Sequence, residues 1–142
     1  MNEKHRKGLM LVLSSPSGAG KTSICKKILS LDNEIQMSIS YTTRVKRKSE
    51  KHSEDYFFIS KEKFEKLKNQ NFFVEHANVF DNWYGTPKKF IEDNLNKGLD
   101  VMFDIDWQGA QKLSEFSKND VVSIFILPPS NRILLDRLRK RA

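Results

Sequence analysis

The sequence predicts an α/β fold in which a parallel sheet is flanked by helices and interrupted by a small strand-rich insertion. Three observations lead there. The first apolar run, Leu9 to Leu13, is continuous rather than alternating, as in a strand covered on both faces, and it ends at the turn-rich Ser14-Ser15-Pro16-Ser17-Gly18. Strand and helix signals then alternate along the chain, the order that builds parallel sheets through helical crossovers. Between residues 38 and 86 short strand signals dominate. A length of 142 residues with 38% apolar content suits one compact unit with a single core.

Each element has its own local reason. From Lys21 to Leu31, Ile24, Ile28 and Leu31 recur at helical spacing, so strand, loop and helix follow one another directly. Ser38 to Glu54 is polar and basic, and its middle is expected to be an exposed loop leading into a strand at Tyr56-Phe57-Phe58-Ile59. Ser60 is placed to cap a helix over Lys61 to Lys68, with Glu62 and Glu65 in the opening turns and Phe64 and Leu67 facing inward. Phe72 to Phe80 and Trp83-Tyr84 read as strands joined at Asp81-Asn82. Pro87 opens a helix that runs to about Lys97, with Gly98 as its C-terminal cap. Asp100 to Ile105 is strand-like, Gln108 to Phe116 helical, and Val121 to Leu127 a strongly apolar strand stopped by Pro128-Pro129. A basic helix carrying Ile133, Leu134, Leu135 and Leu138 follows Ser130 and runs to the last residue without a cap or breaker, which suggests a chain cut at its C-terminus.

Composition narrows the functional classes. Lys and Arg total 25 against 18 Asp and Glu, a net charge of +7 that favours polyanionic ligands. Cys25 alone excludes an intramolecular disulfide framework, and His5, His52 and His76 show no metal-ligand spacing, so a reduced cytoplasmic setting is expected. Cys25 reads as a small buried filler. The basic N-terminus before Leu9 superficially resembles a secretion signal, but the apolar run is too short and no cleavage pattern follows. No stretch approaches the ~20 apolar residues needed to span a bilayer, so no membrane partner is expected.

The most specific local motif is Ser15-Pro16-Ser17-Gly18-Ala19-Gly20-Lys21-Thr22, which matches G-x-x-x-x-G-K-[ST] at every position but the first, where Ser15 replaces glycine. Gly18 and Gly20 let the backbone curl so that successive N–H groups, those of Ala19 and Ser23 included, face phosphate oxygens. Lys21 supplies a mobile charge, and Thr22 offers a hydroxyl to Mg2+ bound with ATP. A buried strand before the motif and a helix after it supply the context that a P-loop NTPase-like fold requires. A first-position glycine often holds a positive φ, so Ser15 implies either that serine tolerates that angle or that the turn differs.

Phosphoryl transfer also needs an acceptor held in line with the donor. Arg44 and Arg47, in Ser40-Tyr-Thr-Thr-Arg-Val-Lys-Arg47, could clamp a phosphate monoester from two sides. Taken alone, the stretch from Arg44 to Lys48 could equally be a solvated basic loop or a nucleic-acid patch.

The loop at 15–22, then Ser38-Ile-Ser-Tyr-Thr-Thr-Arg44, Asp55-Tyr56-Phe57-Phe58, Tyr84-Gly85-Thr86, Asp104-Ile-Asp106-Trp-Gln108-Gly109 and Ile126-Leu127-Pro128-Pro129-Ser130 together resemble the guanylate kinase family in order and spacing, over nearly the whole chain. The resemblance implies a soluble enzyme of purine nucleotide metabolism that transfers the γ-phosphate of ATP to GMP with Mg2+ and uses no nucleic-acid partner. Residues 1–37 and 87–142 would form the core, with a lid beginning near residue 137, and residues 38–86 a GMP-binding insertion. It further implies that Arg44, Arg47, Tyr56 and Tyr84 hold the GMP phosphate and that Ser40, Glu75, Thr86 and Asp106 read or position the guanosine. Arg137 and Arg141 would reach the transferring phosphates on lid closure. Guanine offers N1–H and an exocyclic amine to a carboxylate, a donor pair adenine lacks, which suits Glu75. Asp106 follows an apolar strand, where a buried carboxylate would serve the guanosine or magnesium, and helix capping is its alternative. The sequence departs from the family pattern at Ser15, at Lys46 between the two arginines, and at His52-Ser53. The alternative within the same fold is a non-catalytic guanylate-kinase-like module that binds a protein partner; Lys21, Thr22, Arg44 and Arg47 argue against it.

Overall fold

A computed structural model describes residues 6–16 and 19–141, apart from the side chains of Trp107 and Arg141. Two four-stranded sheets organise these residues. The first is wholly parallel, in the order β2 (Ile35–Met37), β7 (Asp100–Asp104), β1 (Met10–Ser14), β8 (Val121–Phe125). The second is mixed, in the order β4 (Phe57–Phe58), β3 (Tyr41–Thr42), β6 (Asn82–Pro87), β5 (Phe73–Val79), and it lies in sequence between β2 and β7. This is the α/β architecture that the alternating signals indicated.

The parallel sheet is covered on both faces because β1 and β7 are apolar at consecutive positions. Met10, Val12, Val101 and Phe103 point to one side and pack with Ile91 and Leu95 of α3 (Lys88–Asn96) and Leu113 of α4 (Trp107–Phe116). Leu13 and Met102 point to the other side and pack with Cys25 and Ile28 of α1 (Lys21–Leu31). The period of two along each strand thus supplies both cores. Cys25 is buried, and that burial raises its thiol pKa, as befits packing rather than nucleophilic chemistry.

The second sheet is held by aromatic packing. Phe64 of α2 (Lys61–Asn69) is fully buried and stacks on Phe73, with ring centroids 4.6 Å apart; Tyr41 stacks on Phe57 at the same separation. Ser60 caps α2 by accepting the Lys63 N–H at 3.1 Å. Gly85 leaves room for the Phe73 ring, since a Cβ there would stand 2.7 Å from it.

Several boundaries differ from the sequence expectation. The loop expected between Ser38 and Glu54 contains β3, where Thr42 is fully buried. The hairpin between β5 and β6 turns at Phe80 and Asp81, with φ of 49° and 64°, and Asn82 already belongs to β6. Pro87 closes β6 and caps α3 rather than opening the helix. Gln108 is the second residue of α4, which Trp107 opens. The strand from Val121 stops at Phe125. It lies at the edge of its sheet, and Val122, Ile124 and Phe125 are exposed, as an apolar strand without a covering layer would be. The last helix, α5, spans Asn131–Arg141, and Ser130 Oγ accepts the Ile133 N–H in its first turn. No helix among the described residues is long and apolar enough to cross a membrane.

Candidate active site

The loop after β1 lies at the C-terminal edge of the parallel sheet, where the open ends of the strands leave a crevice. Ser14 Oγ donates to the Ile105 carbonyl at 2.9 Å and fixes the start of the loop to the end of β7. Gly20, the residue before α1, has φ 93° and ψ 17°, a left-handed conformation natural to glycine. No side chain caps α1, so its first N–H groups face an anion-receptive end. Ser15 is not among the described residues with a positive φ, which is why serine is accommodated where the motif has glycine. Ala19 is buried and its N–H donates to the Pro16 carbonyl at 3.3 Å. Lys21 opens α1 and places Nζ 2.6 Å from Asp104 Oδ1 at the end of β7. Thr22 and Ser23 are exposed in the first turn. Arg137, on α5, comes to the same place: its Nη1 lies 3.8 Å from where a Cβ on Gly20 would stand. Ser17, Gly18 and the side chain of Arg141, all named from the sequence, lie outside the described residues.

A second cationic group sits on the mixed sheet. Thr42 Oγ1 donates to the Trp83 carbonyl at 2.9 Å and accepts the Arg44 N–H at 3.2 Å, which sets the direction of the chain as it leaves β3. The Arg44 guanidinium then donates to both oxygens of Glu50, at 2.9 and 2.7 Å, and to the Val45 carbonyl at 3.1 Å. It stands 5.5 Å from the Tyr56 ring and 5.9 Å from the Phe58 ring. Tyr56 meets Tyr84 edge to face at 5.9 Å, so Arg44, Tyr56 and Tyr84 form one cluster. The Arg44 hydrogen bonds, followed by that from the Arg47 N–H, hold the Glu50 carboxyl down at about 2, and Glu50 in turn raises Arg44. Burial raises Tyr56, keeping its phenol protonated as a donor. Arg47 is exposed at the rim, with its backbone N–H 2.8 Å from Glu50 Oε1.

The third group lies along the β5–β6 pair. Glu75 and Thr86 are cross-strand partners, and the buried Thr86 Oγ1 donates to Glu75 Oε1 at 2.7 Å. Asp106 is exposed and caps α4 by accepting the Gly109 N–H at 2.9 Å, so the burial expected of it is not found and the capping alternative is. A cleft of about 410 Å3 is lined by Thr22 of α1 and Asp104 of β7 and by Ser40, Glu50 and Tyr56 from the other side, a volume typical of small-ligand sites.

A family model described as guanylate kinase matches residues 7–142. The chain belongs to the guanylate kinase family. It is 55% identical to guanylate kinase of Rickettsia bellii over 96% of this chain and 71% of that one. It is 56% identical to guanylate kinase of Novosphingobium aromaticivorans over 96% of this chain and 60% of that one. The crystal structure of guanylate kinase from Anaplasma phagocytophilum superimposes with a TM-score of 0.77 at 45% identity, covering 95% of this chain and 65% of that one. The chain therefore spans between 60% and 71% of the lengths of these relatives.

Three polar residues of this guanylate kinase family member were not picked out by sequence reasoning. Asp104 pairs with Lys21, whereas the sequence reading assigned a role to Asp106; the strand order that sets β7 beside β1 brings Asp104 there. Glu50 holds Arg44, and an acid within six residues of a basic loop's arginine could have suggested it. Ser38 lines the cleft with Oγ buried and without a protein hydrogen-bond partner, which only the packing reveals.

Proposed function

We propose that the chain catalyses transfer of the γ-phosphoryl group of ATP to GMP, giving ADP and GDP. The single observation that carries this reading is one cleft flanked by two anion-receptive groups: Lys21 with the α1 N-terminus on one side, Arg44 with Tyr56 on the other. In this reading residues 1–37 and 87–142 form the nucleotide-binding core and residues 38–86 the acceptor-binding insertion. The loop 15–23 receives the ATP phosphates. Arg44, Arg47, Tyr56 and Tyr84 hold the GMP phosphate, and Ser40, Glu75, Thr86 and Asp106 position the guanosine.

The reaction asks little covalent chemistry of the protein, because an ionised phosphate monoester is already a nucleophile. What the side chains supply is position and charge. Lys21, now held by Asp104, turns to the transferring phosphate, and Arg137, beside Gly20, adds charge where the leaving oxygens develop it. Glu75 presents Oε2 to the guanine edge while Thr86 fixes Oε1. The Thr22 hydroxyl and the Asp104 carboxylate form a hard oxygen pair suited to Mg2+. Among the described residues no cluster of three or more acids, histidines or cysteines could cage a metal, so Mg2+ would take most of its ligands from the nucleotide. When bound, Mg2+ would neutralise phosphate charge. The reduced thiol of Cys25 suits a cytoplasmic setting.

A coupled assay of ADP release, with ATP and magnesium and with GMP, AMP, CMP or UMP as acceptor, tests this. Turnover with GMP alone is expected. GMP binding without turnover would replace the reading with a non-catalytic binding module.

A further inference from the structure

We infer that Glu50 is a positioning residue that orients Arg44 for the acceptor phosphate, an inference that rests on the proposed function and extends it. Glu50 meets Arg44 end-on: one proton of Nη1 and one of Nη2 go to its two oxygens, at 2.9 and 2.7 Å. The second Nη1 proton goes to the Val45 carbonyl at 3.1 Å. Neither contact uses Nε–H or the outer Nη2 proton, which together form the side edge of the guanidinium, the edge that can grip two oxygens of a phosphate at once, and the Tyr84 hydroxyl also hydrogen-bonds this guanidinium. Tyr56 and Phe58 pack against the same guanidinium and fix its plane.

Glu50 is itself anchored. The Arg47 N–H donates to Oε1 at 2.8 Å, the Glu50 N–H returns to the Arg47 carbonyl at 3.1 Å, and Lys46 Nζ donates to the Glu50 carbonyl at 3.1 Å. The carboxylate is therefore built into the turn from 47 to 50 and links both arginines of the clamp. Without it, Arg44 would keep its charge and lose its direction, and a long flexible side chain would have to be ordered when the ligand binds. An ion that merely occupied the place of a phosphate would behave in the opposite way, since its removal would unmask the guanidinium and tighten phosphate binding.

The test is calorimetric binding of GMP and of guanosine, which lacks the phosphate, to the full chain and to Glu50→Gln, Arg44→Ala and the double variant. Glu50→Gln is expected to weaken GMP about tenfold, the scale of a lost charge-assisted contact, and to leave guanosine unchanged, which also reports that the variant is folded. In the Arg44→Ala background the same substitution is expected to cost nothing further, because its effect passes through Arg44. Tighter GMP binding by Glu50→Gln, an equal loss for guanosine, or a full additional loss in the Arg44→Ala background would each overturn the assignment. Failure of the unsubstituted chain to bind GMP would instead refute the proposed function, leaving a separate and recognisable result.

Discussion

Lys21 Nζ and Asp104 Oδ1 stand 2.6 Å apart although 83 residues separate them in sequence, because β1 and β7 are adjacent in the sheet. The carboxylate holds the lysine at the mouth of the loop, where in the proposed reaction a phosphate would compete for it. Lys21→Met is expected to lower kcat by on the order of 10²-fold or more, the usual loss for a transition-state charge partner, with the circular dichroism spectrum unchanged. Asp104→Asn is expected to raise the magnesium concentration needed for half-maximal turnover, measured by titrating the metal at fixed ATP.

Glu75 is expected to set base selectivity. Its Oε1 accepts from Thr86, which in the proposed reading leaves Oε2 and the charge for the guanine edge. Glu75→Gln replaces an acceptor with a donor that opposes the guanine N–H groups, and kcat/KM for GMP should fall by roughly 10²-fold while ATP affinity is retained. Parallel titrations of GMP and AMP check this; an equal loss for both would refute the assignment.

Acid should weaken the Arg44–Glu50 pair in a defined window. The folded Glu50 carboxyl sits at about 2 against an ordinary 4.5, so the stability it contributes is fully present above the ordinary value and is lost as pH falls toward 2. Thermal midpoints of the chain and of Glu50→Gln should therefore differ most above pH 5 and converge as pH is lowered. A constant difference down to pH 2 would contradict the ion pair.

The second sheet depends on Phe64. Fully buried against Phe73 and Trp83, it is expected to cost roughly 3 to 5 kcal/mol when replaced by alanine. Ser60→Ala, which removes only the cap of α2, should cost about 1 kcal/mol. Urea unfolding followed by tryptophan fluorescence measures both.

The elements longest in sequence were legible because their patterns are periodic: the apolar run of β1, the spacing of α1, and the cap at Ser60. β2 and β3, of three and two residues, are too short to show a period and owe their existence to neighbouring strands. The glycine-rich loop announced itself through residue type, and so did Arg44. Their partners did not, since Asp104 and Glu50 are ordinary acids until strand order and a turn bring them to a cation. The exposed apolar surface of β8 was open to expectation from sequence, because a strongly apolar strand in a chain read as cut at its C-terminus can lack its covering layer, and Val122, Ile124 and Phe125 are exposed.

The order of strands across the parallel sheet has a consequence for how the molecule comes into being. β7, which contributes Asp104, lies between β1 and β2, yet it follows the whole of the mixed sheet in sequence. During synthesis the glycine-rich loop emerges roughly eighty residues before β7, the strand that pairs beside β1 and brings Asp104 to Lys21. In the proposed reading the most recognisable motif of the sequence is thus made long before the acid that holds its lysine, and a site built from both would be finished late in synthesis.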